Sequence, residues 1–182
     1  HADRRAVREE DELHVLAVGH GVRERLQGEA ALLLDAELLG DGVRLDVQVS
    51  DASLHFDGDE DLLQGAIFNL VLNALQTAPA NSTVRVTVRV VEQDQLPSGV
   101  PFDHGAMEIA VSDEGPGIHP DVRDRLFEPF STTKSSGTGL GLAVAHRAIE
   151  AHRGYILVDT DSRGTRFSIL LPRTHRSSGG IA

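Results

Sequence analysis

Two spacings of hydrophobic residues alternate along the chain and predict both helices and strands. Apolar positions recur every three or four residues, as on one face of a helix, from Leu13 to Leu39, from Asp57 up to Pro79 and from Gly139 to Ala151. A short helix is also predicted from Asp121 to Leu126. Apolar and polar positions alternate, as on half-buried strands, in five segments: Val43 to Val49, Thr83 to Val90, Met107 to Asp113, Tyr155 to Val158 and Arg166 to Leu171. The pattern predicts one α/β domain with a mixed, largely antiparallel sheet.

The sequence divides into a domain and two flanking segments. Residues 1–12 are almost wholly charged and are expected to form a linker or a frayed end, and residues 173–182 a flexible polar tail. Residues 13–172 form the predicted domain. Within it, residues 92–105 make a long connection to which the sequence assigns no role. Because the chain begins at His1 rather than at Met, we expect it to be a piece of a longer protein.

Composition and charge exclude several classes of protein. Hydrophobic residues make up 40% of the 182 positions, too many for a disordered chain, and the absence of cysteine excludes a disulfide scaffold, a zinc finger and thiol catalysis. No apolar run approaches the ~18 residues of a membrane span and no signal peptide is evident, so we expect this chain to be cytoplasmic without direct membrane contact; a membrane anchor elsewhere in the full-length protein stays open. The net charge of −11 disfavours nucleic acids and, taken alone, any polyphosphate ligand.

The pair Asn69 and Asn73 is the first candidate for chemistry. The two residues lie four apart on the second predicted helix, so both amides project from one face at the margin of its apolar stripe. A buried amide without partners costs about 1–3 kcal/mol, so capping or core amides with satisfied hydrogen bonds are the commoner explanation of such a pair. The alternative is that two neutral oxygens hold a hydrated cation such as Mg²⁺.

Two glycine-containing segments are candidates for contacts with a ligand. Asp113 ends a predicted strand and is followed by Gly115 and Gly117, which can present a carboxylate to a flat ligand, although an ordinary Gly-Pro turn also fits. The run from Gly137 to Leu142, GTGLGL, opens a predicted helix, where backbone N–H groups and the positive end of the helix dipole can face a phosphate. This run matches neither the dinucleotide fingerprint nor the Walker P-loop.

A further candidate segment, FEPFSTTK, lies between these two. Phe127 and Phe130 are close together in a chain that has only 6 Phe, 1 Tyr and no Trp, and hydroxyl side chains and Lys134 follow them. The phenylalanines could simply anchor a surface loop. The functional interpretation is a mobile lid, anchored by both rings, that carries Lys134 to the ligand.

In this order and spacing, the segments resemble the catalytic ATP-binding domain of bacterial sensor histidine kinases, in the GHKL superfamily that includes gyrase and chaperone ATPases. NLVLNALQTAP is similar to the N box, DEGPGI to the G1 box, FEPFSTTK to the F box and GTGLGLAVAHRAIEAHRG to the G2 box, and the closing GTRFSILLP also fits. The resemblance runs from Val43 to Pro172, and the lid is similar to that of the nitrogen-regulation branch. It implies a Bergerat-type ATP-binding fold, an α/β two-layer sandwich in which a mixed, largely antiparallel sheet of about five strands is covered on one face by about three helices.

The resemblance implies a role for individual residues of these boxes. Asn73 would bind Mg²⁺ and the phosphates with support from Asn69, and Asp113 would accept a hydrogen bond from the adenine amino group. The amides of Gly137–Gly141 would contact the triphosphate, and Gln76 stands where many relatives carry a basic residue. The ATP-binding residues that the resemblance implies are Asn69, Asn73, Gln76, Asp113, Gly115, Gly117, Ile118, Thr133, Lys134, Gly137, Thr138, Gly139, Leu140, Gly141, Leu142 and Thr165.

The same resemblance favours phosphoryl transfer over hydrolysis. In ATP-hydrolysing members of the superfamily a glutamate at the position of Asn69 activates water, and an amide cannot act as a general base near neutral pH. The expected activity is that of a protein-histidine kinase, which transfers the γ-phosphoryl group of ATP to a histidine for onward relay to a response regulator. None of the nine histidines here is followed by Glu or Asp, as the acceptor histidine usually is. We therefore expect the dimerisation and phosphoacceptor domain to lie outside this chain.

Two alternatives stay open at this point. One is an anti-sigma-type protein serine kinase or an ATP-hydrolysing clamp of the same superfamily, and the other is a non-catalytic nucleotide-sensing module. The net charge of −11 no longer argues against a nucleotide, because backbone amides, Mg²⁺ and Lys134 can hold one without a basic protein. With so few cations nearby, however, nucleotide binding should depend strongly on Mg²⁺.

Overall fold

The structure, a computed structural model, describes residues 15–17, 42–50, 55–131 and 138–173, with the backbone alone at 15–17 and 55–57. Its strands are β1 (Val15–Ala17), β2 (Arg44–Val49), β3 (His55–Asp57), β4 (Thr83–Val91), β5 (Ala106–Asp113), β6 (Tyr155–Asp161) and β7 (Gly164–Pro172). Its helices are α1 (Glu60–Thr77), α2 (Pro120–Arg123) and α3 (Gly141–Ala151), with a 3₁₀ turn at Gln93–Gln95. Five strands form a sheet in the order β2-β4-β5-β7-β6, in which β2 and β4 are parallel and the other pairs antiparallel. The predicted sandwich with a mixed, largely antiparallel sheet is confirmed.

Helix α1 begins and ends where the sequence predicts. Asp59 caps it by accepting a hydrogen bond from the backbone N–H of Leu62 at 3.0 Å, and acidic residues in the first turn favour the positive end of the helix dipole. The helix ends before Pro79, which cannot continue it. Its buried residues face the sheet and α3, and they are Leu63, Ala66, Ile67, Leu70, Val71, Ala74 and Leu75.

The face of the sheet beneath α1 and α3 carries the main hydrophobic core. On β5 the alternate residues Met107, Ile109 and Val111 are buried there. Because side chains alternate along a strand, Asp113 at the end of β5 points to this same face, and Thr165 is its register partner on β7. The strand ends therefore place two polar side chains, both less than 10% exposed, beside the helices.

The opposite face of the sheet carries a charged cluster around Glu108. This residue is 6% exposed, and it accepts hydrogen bonds from Arg89 on β4 and, at 3.3 Å, from Arg166 on β7. Burial favours the neutral form of Glu108, but hydrogen bonds from Arg89 and Ser168 and the charges of both arginines outweigh it and hold its pKa below the ordinary value. The cluster joins three neighbouring strands on the face away from the helices.

The 92–105 connection covers part of this same outer face. Phe102, 9% exposed, packs with Ala106 and Leu170, and its ring meets Tyr155 edge to face with centroids 5.6 Å apart. The connection, to which the sequence assigned no role, thus builds a second, smaller hydrophobic cluster.

Several predicted boundaries are corrected by the structure. Residues 15–17 form β1, paired antiparallel with β3, so the predicted helix from Leu13 to Leu39 is wrong at that point because the backbone there pairs with another strand. Residues 18–41 lie outside the described part of the chain. The helix predicted from Asp121 to Leu126 is the shorter α2, and α3 begins at Gly141 instead of Gly139. No helix in the described ranges is long and apolar enough to cross a membrane.

Candidate functional site

A cavity of about 450 Å³ opens between α1, α3 and the segment that connects β5 to α3. Helix α1 contributes its second half, and Phe167 of β7 contributes to the wall. The predicted site residues that line it are Asn69, Asn73, Gln76, Gly117, Ile118, Thr138, Gly139, Leu140, Gly141 and Leu142. Residues 132–137, and with them Thr133, Lys134 and Gly137, lie outside the described part of the chain. The structure therefore brings three separate sequence motifs to one cavity.

Both asparagines of α1 line the cavity from one face of the helix, as their spacing predicts. The side-chain N–H₂ of Asn69 donates to the carbonyl of Gly65 one turn earlier, at 2.9 Å. Its Oδ1 lies toward α3, because a Cβ built on Gly141 would be 3.0 Å from that oxygen. The absence of a side chain at Gly141 thus makes room for the Asn69 amide between the two helices.

The turn after β5 is held by a hydrogen bond from its backbone to the side chain of Asp113. The amide of Gly115 donates to Oδ1 of Asp113 at 2.8 Å, and a Cβ at Gly115 would be 2.8 Å from both that oxygen and the Thr77 carbonyl. Gly117 has a φ of +79°, and a Cβ there would overlap the carbonyl oxygen of Asp161 on β6. Asp113 is 8% exposed and is not among the described residues that line the cavity, but a Cβ on Gly115 would contact both its Oδ1 and the carbonyl of Thr77, which does line it.

A hydroxyl network that sequence reasoning missed joins this turn to the edge of the sheet. Thr160 Oγ1 accepts a hydrogen bond from the Ile118 amide at 2.9 Å and lies 3.1 Å from Thr165 Oγ1 and 3.3 Å from the Gly164 carbonyl oxygen. The predicted strand stopped at Val158 and so left Thr160 without a partner. The sequence signal that could have found this contact is the two-residue turn between β6 and β7. If the two strands pair right up to this turn, Thr160 lies opposite Thr165.

A backbone hydrogen bond joins the chain just before and just after residues 132–137. The amide of Phe130 donates to the Gly139 carbonyl at 3.0 Å, and both residues have left-handed backbones, with φ of +66° and +65°. A Cβ on Gly139 would be 2.6 Å from the Phe130 carbonyl carbon, so this close approach requires glycine.

The two phenylalanines of the FEPFSTTK segment differ in environment. Phe127 packs against the core and stacks on His146 of α3, with ring centroids 4.7 Å apart and an angle of 21°. Phe130 is 75% exposed, so it does not anchor the segment as predicted. Its left-handed backbone conformation accompanies this outward placement of the ring. Phe127 alone of the pair is packed as an anchor.

The start of α3 can receive an anion. Within the described residues no side chain caps α3, which begins after Leu140 and carries no acidic residue in its first turn. Thr138 Oγ1 accepts from the Leu140 amide at 3.4 Å just before the helix. The first-turn N–H groups and the positive end of the dipole therefore stand at the cavity.

The charge of the cavity wall is low. Among the described residues that line it, none is Asp, Glu, Lys or Arg, and His119 is the one titratable side chain. In the same ranges, no group of three His, Asp or Glu could hold a metal ion by itself. The amide oxygens of Asn69 and Asn73 fit a hard cation that takes most of its ligands from phosphates and water.

Comparison with known protein families identifies the family of this chain. Residues 58–175 match the model of the histidine kinase-, DNA gyrase B- and HSP90-like ATPases. The chain belongs to this family. The resemblance drawn from the four boxes is therefore confirmed, and so is the predicted fold class.

Individual sensor kinases are also similar to this chain in sequence or structure. The chain is 34% identical to sporulation kinase A of Bacillus subtilis over 82% of this chain and 23% of that protein. It is 35% identical to the sensory histidine kinase/phosphatase NtrB of Rhodobacter capsulatus over 63% of this chain and 33% of that protein. The crystal structure of full-length ShkA in complex with AMPPNP matches 82% of this chain and 30% of its own, with a TM-score of 0.63 and 29% identity. The chain thus spans a third or less of the length of these relatives, and the match to NtrB agrees with the predicted nitrogen-regulation branch.

Proposed function

We propose that this chain is the ATP-binding catalytic domain of a sensor histidine kinase. It would pass the γ-phosphoryl group of ATP to a ring nitrogen of a histidine on a separate dimerisation and phosphoacceptor domain, for onward relay to a response regulator. As part of this proposal, the chain would act in the cytoplasm, where ATP is available. The observation that carries the proposal is a cavity that joins an uncapped helix start to two amides and, among its described lining, contains no carboxylate.

Each part of the cavity would have a defined task. The first-turn amides of α3 would hold the phosphates, and Asn73 with Asn69 would hold Mg²⁺, which neutralises phosphate charge during transfer. Asp113 would accept from the exocyclic amino group of adenine, with Thr165 beside it. Gly115, Gly117 and Ile118 would shape the base pocket, and Thr133, Lys134 and Gly137 would approach the phosphates from the lid.

The described lining of the cavity contains no carboxylate, and this favours transfer over hydrolysis. A general base must lie within hydrogen-bonding reach of the water that it activates. Asn69 stands at the N-box position where a glutamate would act, and its N–H₂ is already bonded to Gly65. Phosphoryl transfer requires mainly positioning and charge neutralisation, both of which amides and a cation supply.

The test is single-turnover transfer from Mg·ATP to the histidine hairpin of the full-length protein, supplied in trans. We expect acid-labile phosphate on the hairpin and negligible phosphate release by the chain alone. Asp113→Asn should lower ATP affinity at least about tenfold, since it replaces a charge-assisted acceptor. Asp103→Asn, on the exposed 92–105 connection, is the matched control and should bind ATP normally.

Three results would count against the proposal. Robust phosphate release would favour an ATP-hydrolysing clamp, and acid-stable phosphate on a protein substrate would favour a serine kinase. Tight ATP binding without transfer to any histidine hairpin would favour a nucleotide-sensing module. In addition, ATP affinity should collapse in EDTA, because no Lys or Arg is among the described residues of the cavity wall.

A further inference from the structure

Thr160 belongs to the polar part of the site around Asp113 and Thr165, and it is not among the described residues that line the cavity. It lies opposite Thr165 in the β6–β7 ladder, and Thr165 in turn lies opposite Asp113 in the β5–β7 ladder. The three side chains thus follow one another across three adjacent strands. Thr165 is 7% exposed and Asp113 8%, so both depend on protein partners or ligand for their hydrogen bonds.

The hydroxyl of Thr160 has three neighbours and a single proton, and this fixes the direction of each bond. The Ile118 amide can only donate to it, at 2.9 Å, and the Gly164 carbonyl can only accept from it, at 3.3 Å. Its proton is therefore used on Gly164. For the 3.1 Å contact to be a hydrogen bond as well, Thr165 must be its donor. This is the single assignment in which all three contacts are hydrogen bonds.

This direction determines what Thr165 can offer to a ligand. Once its proton is given to Thr160, the Thr165 hydroxyl has only lone pairs left and acts as an acceptor. An ionised Asp113 is also an acceptor only. Two neighbouring acceptors complement a 6-amino group, which carries two N–H donors, directly or through one water. They oppose a 6-oxo group, which has only lone pairs and would remain unpaired.

We propose that Thr160 is a specificity-determining positioning residue, which acts through Thr165 to select 6-amino over 6-oxo purine nucleotides. By taking the Thr165 proton it keeps that hydroxyl an acceptor, and by accepting from Ile118 it holds the turn that walls the base pocket. The inference rests on the proposed function, because it concerns the purine end of the same site.

The experiment measures the affinities of the full chain for Mg·ATP and Mg·ITP, two nucleotides that differ in the amino or oxo group at position 6. Thr160→Val keeps the shape and removes the hydroxyl, so the Thr165 proton becomes available to an oxo group. We expect ATP affinity to fall about tenfold and ITP affinity by clearly less, so the ATP preference shrinks several-fold. Thr160→Ser restores the hydroxyl and should restore the preference. Thr87→Val, on the outer face of β4, is the matched control and should change neither affinity.

A double-variant cycle tests whether Thr160 acts through Thr165. In a Thr165→Val background, adding Thr160→Val should weaken ATP and ITP by the same factor and leave their ratio unchanged. Equal losses for ATP and ITP in the single Thr160→Val variant would indicate a merely structural role and overturn the inference. A further change of the ratio in the double variant would also overturn it. Wild-type protein that fails to bind Mg·ATP would overturn the proposed function itself, whereas the other results leave that function standing.

Discussion

Alanine at Gly141 is expected to weaken nucleotide binding while leaving the fold at least as stable. A Cβ at this position would be 3.0 Å from Oδ1 of Asn69, a few tenths of an ångström inside an ordinary contact. Asn69 cannot simply retreat, because its N–H₂ is held by the Gly65 carbonyl at 2.9 Å. Under the proposed role of Asn69 at Mg²⁺ and the phosphates, displacing this amide should cost about 1.4 kcal/mol, or tenfold in ATP affinity. The helix itself should gain up to about 0.5 kcal/mol, because alanine has the higher helix propensity.

Gly65→Ala is the matched control, since it is also a helical glycine and a Cβ there would meet nothing within 4 Å. It should stabilise the fold by about 0.5–1 kcal/mol, raising Tm by a few degrees, with unchanged ATP affinity. Calorimetric titration with Mg·ATP and thermal unfolding of both variants measure the two effects separately. Wild-type ATP affinity in Gly141→Ala would refute the placement of Asn69 at the phosphates. Equal loss of affinity in both variants would show that the Asn69 contact with Gly141 is not the cause.

Three other substitutions test separate parts of the structure. Gly117→Ala would force a Cβ onto the Asp161 carbonyl at a φ of +79°, so ATP affinity should fall more than about tenfold in a titration; retained affinity would contradict the packing of this turn on β6. Phe102→Ala should lower the free energy of unfolding in urea by about 3 kcal/mol without changing ATP affinity; an unchanged free energy of unfolding would show that the 92–105 connection is dispensable for the fold. Glu108→Gln should lower the free energy of unfolding by about 1–2 kcal/mol at pH 7. This is more than an exposed ion pair contributes and less than a buried one, because the arginine partners of Glu108 are 53% and 39% exposed. Since folding lowers the pKa of Glu108, its stabilisation of the fold is present above about pH 4.3 and is lost as the pH falls through the lowered pKa. The urea unfolding curves of the wild type and the variant should therefore converge in acid. A difference that stays constant with pH would contradict the assignment of this stabilisation to ionised Glu108.

Most of the fold could be predicted from local patterns, because most of its elements are set by local chemistry. The acids before α1, the uninterrupted alternation of β4 and the apolar residues Met107, Ile109 and Val111 of β5 determine those elements within a few residues of sequence. Strands β6 and β7 extend beyond their predicted ends because a two-residue turn, in which Asp161 accepts from the Arg163 amide at 2.7 Å, lets them pair up to the turn itself. Strand β1 could not be predicted, because its partner β3 lies about forty residues away in the sequence.

In the candidate site too, features set by local spacing could be predicted and contacts between distant residues could not. Asn69 and Asn73 could be placed on one face of a helix from their spacing alone, and both line the cavity. The contact between Thr160 and Ile118 joins residues 42 positions apart, so no local pattern carries it. Phe130 was predicted to be an anchor because it is aromatic. The structure instead gives it a left-handed backbone and an exposed ring, and residue type alone does not predict that conformation.

The glycines of the G1 and G2 boxes that the structure describes have a structural role inside the protein. The sequence assigned them to contacts with a ligand, yet at each described glycine the space that a side chain would need is already occupied by the protein. Asp113 and Thr77 take it at Gly115, Phe130 takes it at Gly139, and Asn69 takes it at Gly141. These glycines therefore allow the walls of the cavity to approach one another before any nucleotide arrives. It follows that substituting them should alter amide hydrogen exchange along the cavity wall in the ligand-free protein, whereas a glycine needed only for ligand approach would leave the free protein unchanged.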